Sequence, residues 1–213
     1  MPIPSNDTLA WLQQAVESPA RRHPDYLPKA LDFRPWAELF AHVAETTVLG
    51  AEVGFPVVLR EGRLHFPREM TWKSGYPARL EGGWFLGCFH AHLPLQQGGA
   101  PTFDPQDVAA ALRSDNPGFL ELLMVEGELQ ALVRSNPFLY ISAHHVTRNP
   151  LLLAEAHADL QHRHAGDSAP PEEKRAAFRR ATRYYLRRYQ LALYRGKPSE
   201  PLPVRFMPKG RWS

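Results

Sequence analysis

The chain has 213 residues, with 25 Lys or Arg and 22 Asp or Glu, so its formal net charge is +3. Hydrophobic residues make up 44%, an ordinary share for a globular protein, and the length predicts one domain with extensions. A single cysteine, Cys88, excludes an internal disulfide. No stretch has the roughly eighteen apolar residues of a membrane span, and the first residues lack the regions of a signal peptide. We therefore expect a cytoplasmic protein with no membrane association.

Basic residues are concentrated at the C-terminal end. From residue 163 onward there are 13 Lys or Arg and 4 Asp or Glu, whereas the preceding part has 12 and 18. Residues 170–194 have the pattern of a long helix, with aromatic side chains on one stripe and arginines over much of the remainder. This pattern is typical of a helix that packs on a core and keeps its arginines in water. Clustered arginine would also suit an acidic partner or nucleic acid, although no nucleic-acid motif accompanies it.

Local signals predict several further elements. Residues 6–18 and 35–46 have the apolar spacing of amphipathic helices. Two short apolar runs, 57–59 and 64–66, predict strands joined by a turn at Glu61-Gly62. A second pair of strands is predicted at 119–125 and 129–133.

An apolar run at residues 84–94 predicts the strand that matters most for function. Glycines precede it and a proline ends it, and it contains His90 and His92 near its end. Side chains two positions apart on a strand project from the same face, so both imidazoles should point the same way. They can therefore occupy two corners of a tetrahedral zinc site. Two nearby histidines on a strand also commonly have no role in metal binding. Residues elsewhere in the sequence must therefore distinguish a metal site from a chance pair.

The start of a helix follows this strand. Asp104 is a natural N-cap, Pro105 fits the first helical position, and Asp107 falls at the third, as in a capping box. Asp107 is therefore either a capping residue or a third metal ligand that points toward the histidines. Zinc with three protein ligands keeps one position for water, which is the catalytic arrangement. Cys88 shares the strand face of the histidines and fits either a fourth ligand or a small buried core residue.

Residues 87–94, followed by 104–111, resemble the JAMM (Jab/MPN-type) zinc metalloprotease family. The motif of that family is His-x-His-Pro and, further along the chain, Ser-x-x-Asp with a catalytic Glu on an earlier element. His90, His92 and Asp107 correspond to the three metal ligands of the motif. The resemblance extends over residues 35–145.

The sequence departs from this motif at two residues. Leu93 stands in place of the proline, and Asp104 stands in place of the serine. Counting the spacing strictly from His92 would instead make Asp104 the ligand and place Pro101 at the serine position. The helix start after the loop favours Asp107 as the ligand.

The resemblance implies an α+β fold, with a mixed sheet flanked by helices as in MPN/JAB-like proteins. It divides the chain into an N-terminal helical extension (1–32), a metallopeptidase domain (33–148) and a basic helical C-terminal extension (149–213). In the family, a glutamate in a Glu-x-Gly pattern before a strand activates the metal water. Glu52 lies in such a pattern, Glu52-Val53-Gly54, and Glu69 and Glu81 are its competitors.

The implied function is a zinc-dependent metallopeptidase or isopeptidase, with a protein substrate that is ubiquitin-like. Glu52 would be the proton acceptor, and Asp104 would stand at the site of the serine that helps to hold the developing oxyanion. A carboxylate cannot donate a hydrogen bond unless it is protonated, so this replacement would weaken catalysis or transfer the role to a backbone donor. The alternative is a catalytically inactive MPN/JAB-like binding module, whose basic end docks an acidic partner or nucleic acid. The sequence leaves the oligomeric state open.

Overall fold

A computed structural model describes residues 8–47, 54–67, 79–80, 82–95, 99–113, 116–137 and 170–209. Within these residues the chain is an α+β protein with four α-helices and nine β-strands. The helices are α1 (Thr8–Glu17), α2 (Ala37–Thr46), α3 (Pro105–Ala111) and α4 (Pro171–Arg188). Short 3-10 helices occupy Pro19–Arg22, Pro24–Tyr26 and Arg34–Trp36.

The nine strands form one mixed sheet. They are β1 (Ala30–Leu31), β2 (Gly54–Arg60), β3 (Arg63–His65), β4 (Arg79–Leu80), β5 (Gly83–Ala91), β6 (Leu120–Val125), β7 (Glu128–Arg134), β8 (Leu191–Gly196) and β9 (Leu202–Phe206). Their order is β1-β9-β8-β7-β6-β5-β2-β3, and β4 also pairs with β5. The β5–β6 pair is parallel, and the other pairs are antiparallel.

Two Glu-Gly turns close the hairpins β2–β3 and β6–β7. Glu61 and Gly62 have φ angles of 51° and 70°, and Glu126 and Gly127 have 50° and 77°. Positive φ at both central residues is typical of the two-residue turn whose twist matches that of the flanking strands. Both hairpins predicted from the sequence are therefore confirmed.

The C-terminal end departs from the sequence prediction. The helix that was expected to continue to residue 194 ends at Arg188, and Leu191–Gly196 forms β8 instead. Gln190 takes a φ of 52°, a conformation that a helix cannot continue. Residues 191–196 pair with Leu129–Arg134 of β7, which satisfies their backbone groups in the sheet.

Helices pack on both faces of the sheet. α1 and α2 cover one face, whose core includes Trp11, Phe40 and Phe89. α3 and α4 cover the other face, where Phe103 and Tyr185 lie in a second core. Because β1, β8 and β9 belong to the same sheet as β5, the sheet continues across both predicted domain boundaries. The division into three parts stays a prediction.

The helices in the described part of the chain also bear on membrane association. None of them combines the length and hydrophobicity that crossing a lipid bilayer requires.

Phe89 on β5 offers a test of the first core. Its ring is fully buried, and ring centroids of Phe40, Phe66 and Phe55 lie 4.7, 6.2 and 6.3 Å away. We expect Phe89→Ala to lower the free energy of unfolding by about 3–5 kcal/mol, because it leaves a cavity among packed rings. Urea denaturation measures this loss. Tyr184→Ala, at a side chain 57% exposed, is the control and should change stability by less than about 0.5 kcal/mol. Equal losses in both variants would contradict the described core.

Candidate metal centre

His90 and His92 lie side by side where β5 ends. His90 pairs with Leu123 of the parallel strand β6. The backbone N–H of His92 donates to the carbonyl of Met124 at 3.0 Å, which carries the pairing one residue beyond the strand. Both imidazoles consequently project from the same face, and their Nε2 atoms are 3.2 Å apart. The prediction that the two side chains point the same way is confirmed.

Asp107 brings a carboxylate to both imidazoles. Its Oδ1 lies 3.2 Å from Nε2 of His90, and its Oδ2 lies 3.3 Å from Nε2 of His92. The two histidines are buried, whereas the Asp107 side chain keeps 16% of its surface exposed. The cluster therefore lies at the margin of the core.

The capping interaction of α3 fixes the orientation of this carboxylate. The backbone N–H of Asp107 donates to Oδ1 of Asp104, and the N–H of Asp104 donates to Oδ2 of Asp107, both at 2.9 Å. This is a reciprocal capping box with aspartate in the place of the usual Glu or Gln. The capping interpretation of Asp107 is confirmed, and the same carboxylate faces the histidines, while its role as a third metal ligand stays a prediction. Asp104 is the N-cap, and Asp107 rather than Asp104 belongs to the three-residue cluster.

The spacing of the three donor groups fits a small cation. Their ligand atoms all lie within 4.8 Å of one another, and the three could hold a metal ion.

A hydrogen bond to the following loop orients His92. Its Nδ1 lies 3.1 Å from the carbonyl oxygen of Ala100, so the proton of the neutral ring belongs on Nδ1. That tautomer leaves the lone pair of Nε2 directed toward Asp107 and His90. Metal-binding histidines commonly have such a partner on the opposite ring nitrogen. The other imidazole, that of His90, packs edge-on against the Phe103 ring, and the two ring centroids are 6.3 Å apart.

The three groups change one another's pKa values. Burial would lower the pKa of His92, but hydrogen bonding to Asp107 and the charge of its carboxylate raise it to about 9. Burial likewise opposes the protonation of His90, and Asp107 raises its pKa above the usual value. Burial would raise the pKa of Asp107, yet the two histidines hold it well below its usual range. Without a metal the cluster therefore retains protons that a bound cation must displace.

Glu121 is a buried carboxyl near the cluster that the sequence reasoning missed. Its Oε2 accepts the backbone N–H of Cys88 at 3.1 Å, on the strand that carries His90. Burial raises the pKa of Glu121 to about 8, against the opposing effects of His90 and of the Cys88 hydrogen bond. The side chain is therefore largely protonated at neutral pH. A glutamate inside the apolar run of residues 119–125 was the available signal.

The remaining sequence predictions have different outcomes. Glu52 and its competitors Glu69 and Glu81 lie outside the described residues, so the assignment of the proton acceptor stays a prediction. Gly54, two residues after Glu52 in the sequence, pairs with His90. Cys88 is buried, burial raises the pKa of its thiol well above the usual range, and it does not belong to the three-residue cluster.

The fold and the site together define an α+β protein with a buried His-His-Asp cluster that could hold a metal ion. Comparisons with models of known protein families, with curated proteins and with solved structures found no match. The JAMM resemblance therefore rests on the motif residues alone.

Metal analysis tests the cluster directly. We expect the purified protein to bind about one Zn²⁺ per chain, and His90→Ala to abolish this binding because it removes one of three ligands. Affinity should weaken as the pH is lowered from about 9, because protons on His92 compete with the ion. Calorimetric titration with Zn²⁺ at several pH values measures both effects. His65→Ala, an exposed histidine on β3, is the matched control, and equal loss of binding in that variant would contradict the site.

Glu121 predicts a pH-dependent stability in the metal-free protein. Its pKa is about 8 in the folded state and 4.5 ordinarily, so between these values the folded state holds a proton that the unfolded chain has released. Its favourable contribution is present below pH 4.5 and is lost as the pH rises through 8. Glu121→Gln is uncharged and keeps an acceptor for the Cys88 N–H, so its stability relative to wild type should improve from pH 4.5 to 8.

Urea denaturation at several pH values, in the presence of a chelator, measures this trend. Glu45→Gln, at an exposed position on α2, is the control and should show no comparable trend. A constant difference between Glu121→Gln and wild type across the range would contradict the assigned protonation.

Proposed function

We propose that the chain is a zinc-dependent peptidase or isopeptidase that cleaves at the C-terminal tail of a ubiquitin-like protein. The observation that carries this proposal is the convergence of His90, His92 and Asp107, whose ligand atoms all lie within 4.8 Å of one another. The resemblance of these same residues to the JAMM motif supports the reaction type and the substrate class.

The three side chains would hold the zinc ion through two imidazole nitrogens and a carboxylate oxygen. When bound, zinc supplies Lewis acidity toward a substrate carbonyl and acidifies water. Three protein ligands leave room in a tetrahedron for one further group. Asp104 and Ala100 act as positioning residues, because they fix the carboxylate of Asp107 and the ring of His92 respectively.

Glu52 is the proposed proton carrier. The role needs a carboxylate that accepts a proton from water and delivers it to the leaving amine. Gly54 pairs with His90, and Glu52 precedes Gly54 by two residues. We assign the role of proton carrier to Glu52 because of this position in the sequence and because it lies in a Glu-x-Gly pattern.

Asp104 predicts slow catalysis. Its Oδ1 already accepts a hydrogen bond from the N–H of Asp107, and its carboxylate has no proton to donate to an oxyanion. We assign the stabilisation of the oxyanion to a backbone N–H instead. Loss of one oxyanion donor typically lowers kcat by about 10²–10³-fold, so we expect turnover below that of an enzyme with serine at this place.

The same observation favours a second candidate, a non-catalytic binding module. Aspartate in place of the serine suits a protein that has kept the metal-binding cluster and lost cleavage. In that case the basic C-terminal residues would supply the docking surface for an acidic partner. The two candidates differ in the role of the Glu52 carboxylate. The peptidase needs it for cleavage, whereas the binding module does not cleave and needs no such carboxylate.

Cleavage assays with purified variants separate these candidates. A panel of ubiquitin-like proteins with C-terminal fusions should include at least one that the zinc-loaded protein cleaves. Glu52→Gln should abolish cleavage and retain zinc, since it removes the proton carrier and none of the ligands. His90→Ala should lose both, and a chelator should stop cleavage by the wild type.

His65→Ala provides the control and should cleave normally. Cleavage that persists in Glu52→Gln would reject that residue as the proton carrier. Zinc binding without cleavage of any fusion would favour the binding module. Iron or manganese in place of zinc in the purified protein would contradict the proposed chemistry.

A further inference from the structure

A pocket of about 60 Å³ lies between α4 and the strands β8 and β9. Four arginines line it, two from the exposed face of the helix and one from each strand: Arg179, Arg183, Arg195 and Arg205. Thr102 and Thr182 contribute the other polar groups of the lining. Four arginines from three different elements therefore surround one small volume.

The positive charge of the pocket is only partly balanced. Arg195 lies 3.4 Å from a carboxylate oxygen of Glu128, while Arg205 donates to the backbone carbonyl of Arg195 at 3.2 Å. Burial lowers the pKa of Arg195, and the neighbouring arginines lower it further, against the effect of Glu128. Within the part of the chain that the structure describes, neither Arg179 nor Arg183 has a carboxylate at ion-pair distance. Of these four arginines, Arg195 is the one with an ion pair in the described part of the chain, and Arg179 also interacts at longer range with the charge of Glu126.

The two hydroxyl groups of the lining already donate to the protein. Thr102 donates to the side-chain oxygen of Gln130 at 2.8 Å, and Thr182 donates to the carbonyl of Phe178 at 2.9 Å. The donors left for a ligand are therefore the guanidinium N–H groups. These planar groups bind oxyanions through paired hydrogen bonds.

We propose that this arginine pocket binds the phosphate group of a small ligand. A cavity of this size admits a few water molecules, and hence one phosphate group rather than a whole nucleotide. A phosphate monoester has a charge of about −1.5 to −2 at neutral pH, so it offsets more of the excess positive charge than a carboxylate does. Free phosphate and the phosphate of a larger ligand share this chemistry. A pocket of this small volume suits one such group better than the extended backbone of a nucleic acid.

The pocket lies on the same face of the sheet as the candidate metal centre. Successive strand pairings join His90 to Leu123, Leu123 to Gln130, and Gln130 to Arg195. Directly opposed residues share a face, and three strand spacings place His90 and Arg195 about 14 Å apart. Thr102 belongs to the segment that also holds His92 through Ala100. A ligand anchored by its phosphate could thus extend toward the histidines.

Phosphate binding can be measured without any assay of cleavage, so this proposal does not depend on the proposed function. Calorimetric titration of the full chain with inorganic phosphate should show one site. Arg183→Gln and Arg205→Gln should each weaken it by about tenfold or more, as expected for a lost charge-assisted hydrogen bond. Both side chains are exposed, so the variants should fold, which circular dichroism checks.

Arg180→Gln is the matched control, because it removes the same charge from the exposed surface of the same helix outside the pocket. It should change the affinity by less than about twofold, since exposed charges are screened. Equal weakening by Arg180→Gln would overturn the site in favour of general charge attraction. Acetate binding as tightly as phosphate would overturn the preference for phosphate. Absence of phosphate binding at millimolar concentration would also overturn the proposal, as would tighter binding of single-stranded nucleic acid that depends equally on Arg180 and Arg183.

Discussion

The carboxylate of Asp107 joins the two elements on which the site depends. It faces both imidazoles at the end of β5 and also caps the first turn of α3. A helix of seven residues has little stability of its own, so contacts at its ends must hold it in place. At the other end of α3, Asn116 and the buried Arg134 donate to the carbonyls of Ala110 and Ala111. Any proposal about a metal ion or a reaction rests on this fixed position of α3.

Close contact between β5 and β6 holds the histidine-bearing strand. A Cβ atom at Gly87 would lie 1.7 Å from the carbonyl oxygen of Leu120, and the φ of Gly87 is 148°. Only glycine permits this approach. The Glu121 carboxyl then accepts the N–H of Cys88, which joins its side chain to the backbone of this strand. The site is thus built from backbone constraints as much as from its three donor groups.

Local signals in the sequence predicted both hairpins, the strand with His90 and His92, and the cap at Asp104, because each depends on residues close in the chain. The convergence of Asp107 with the histidines could be proposed from strand periodicity and a helix start. Pairings between distant segments left no such signal: β8 meets β7 across residues 135–190, and this contact replaced the predicted helical turn. The arginine pocket was equally hidden, since Thr102 joins arginines far away in sequence.

The order in which the strands are synthesised has a consequence for folding on the ribosome. β7 is complete at Arg134, but the strand that covers its free edge begins at Leu191. Until then its backbone groups offer an unpaired edge, which invites association with other chains. The short strand β1 stays unpaired still longer, because its partner β9 begins at Leu202. The nascent chain therefore completes this sheet only after β9 has been synthesised, and until then chaperones that shield exposed edges would protect it.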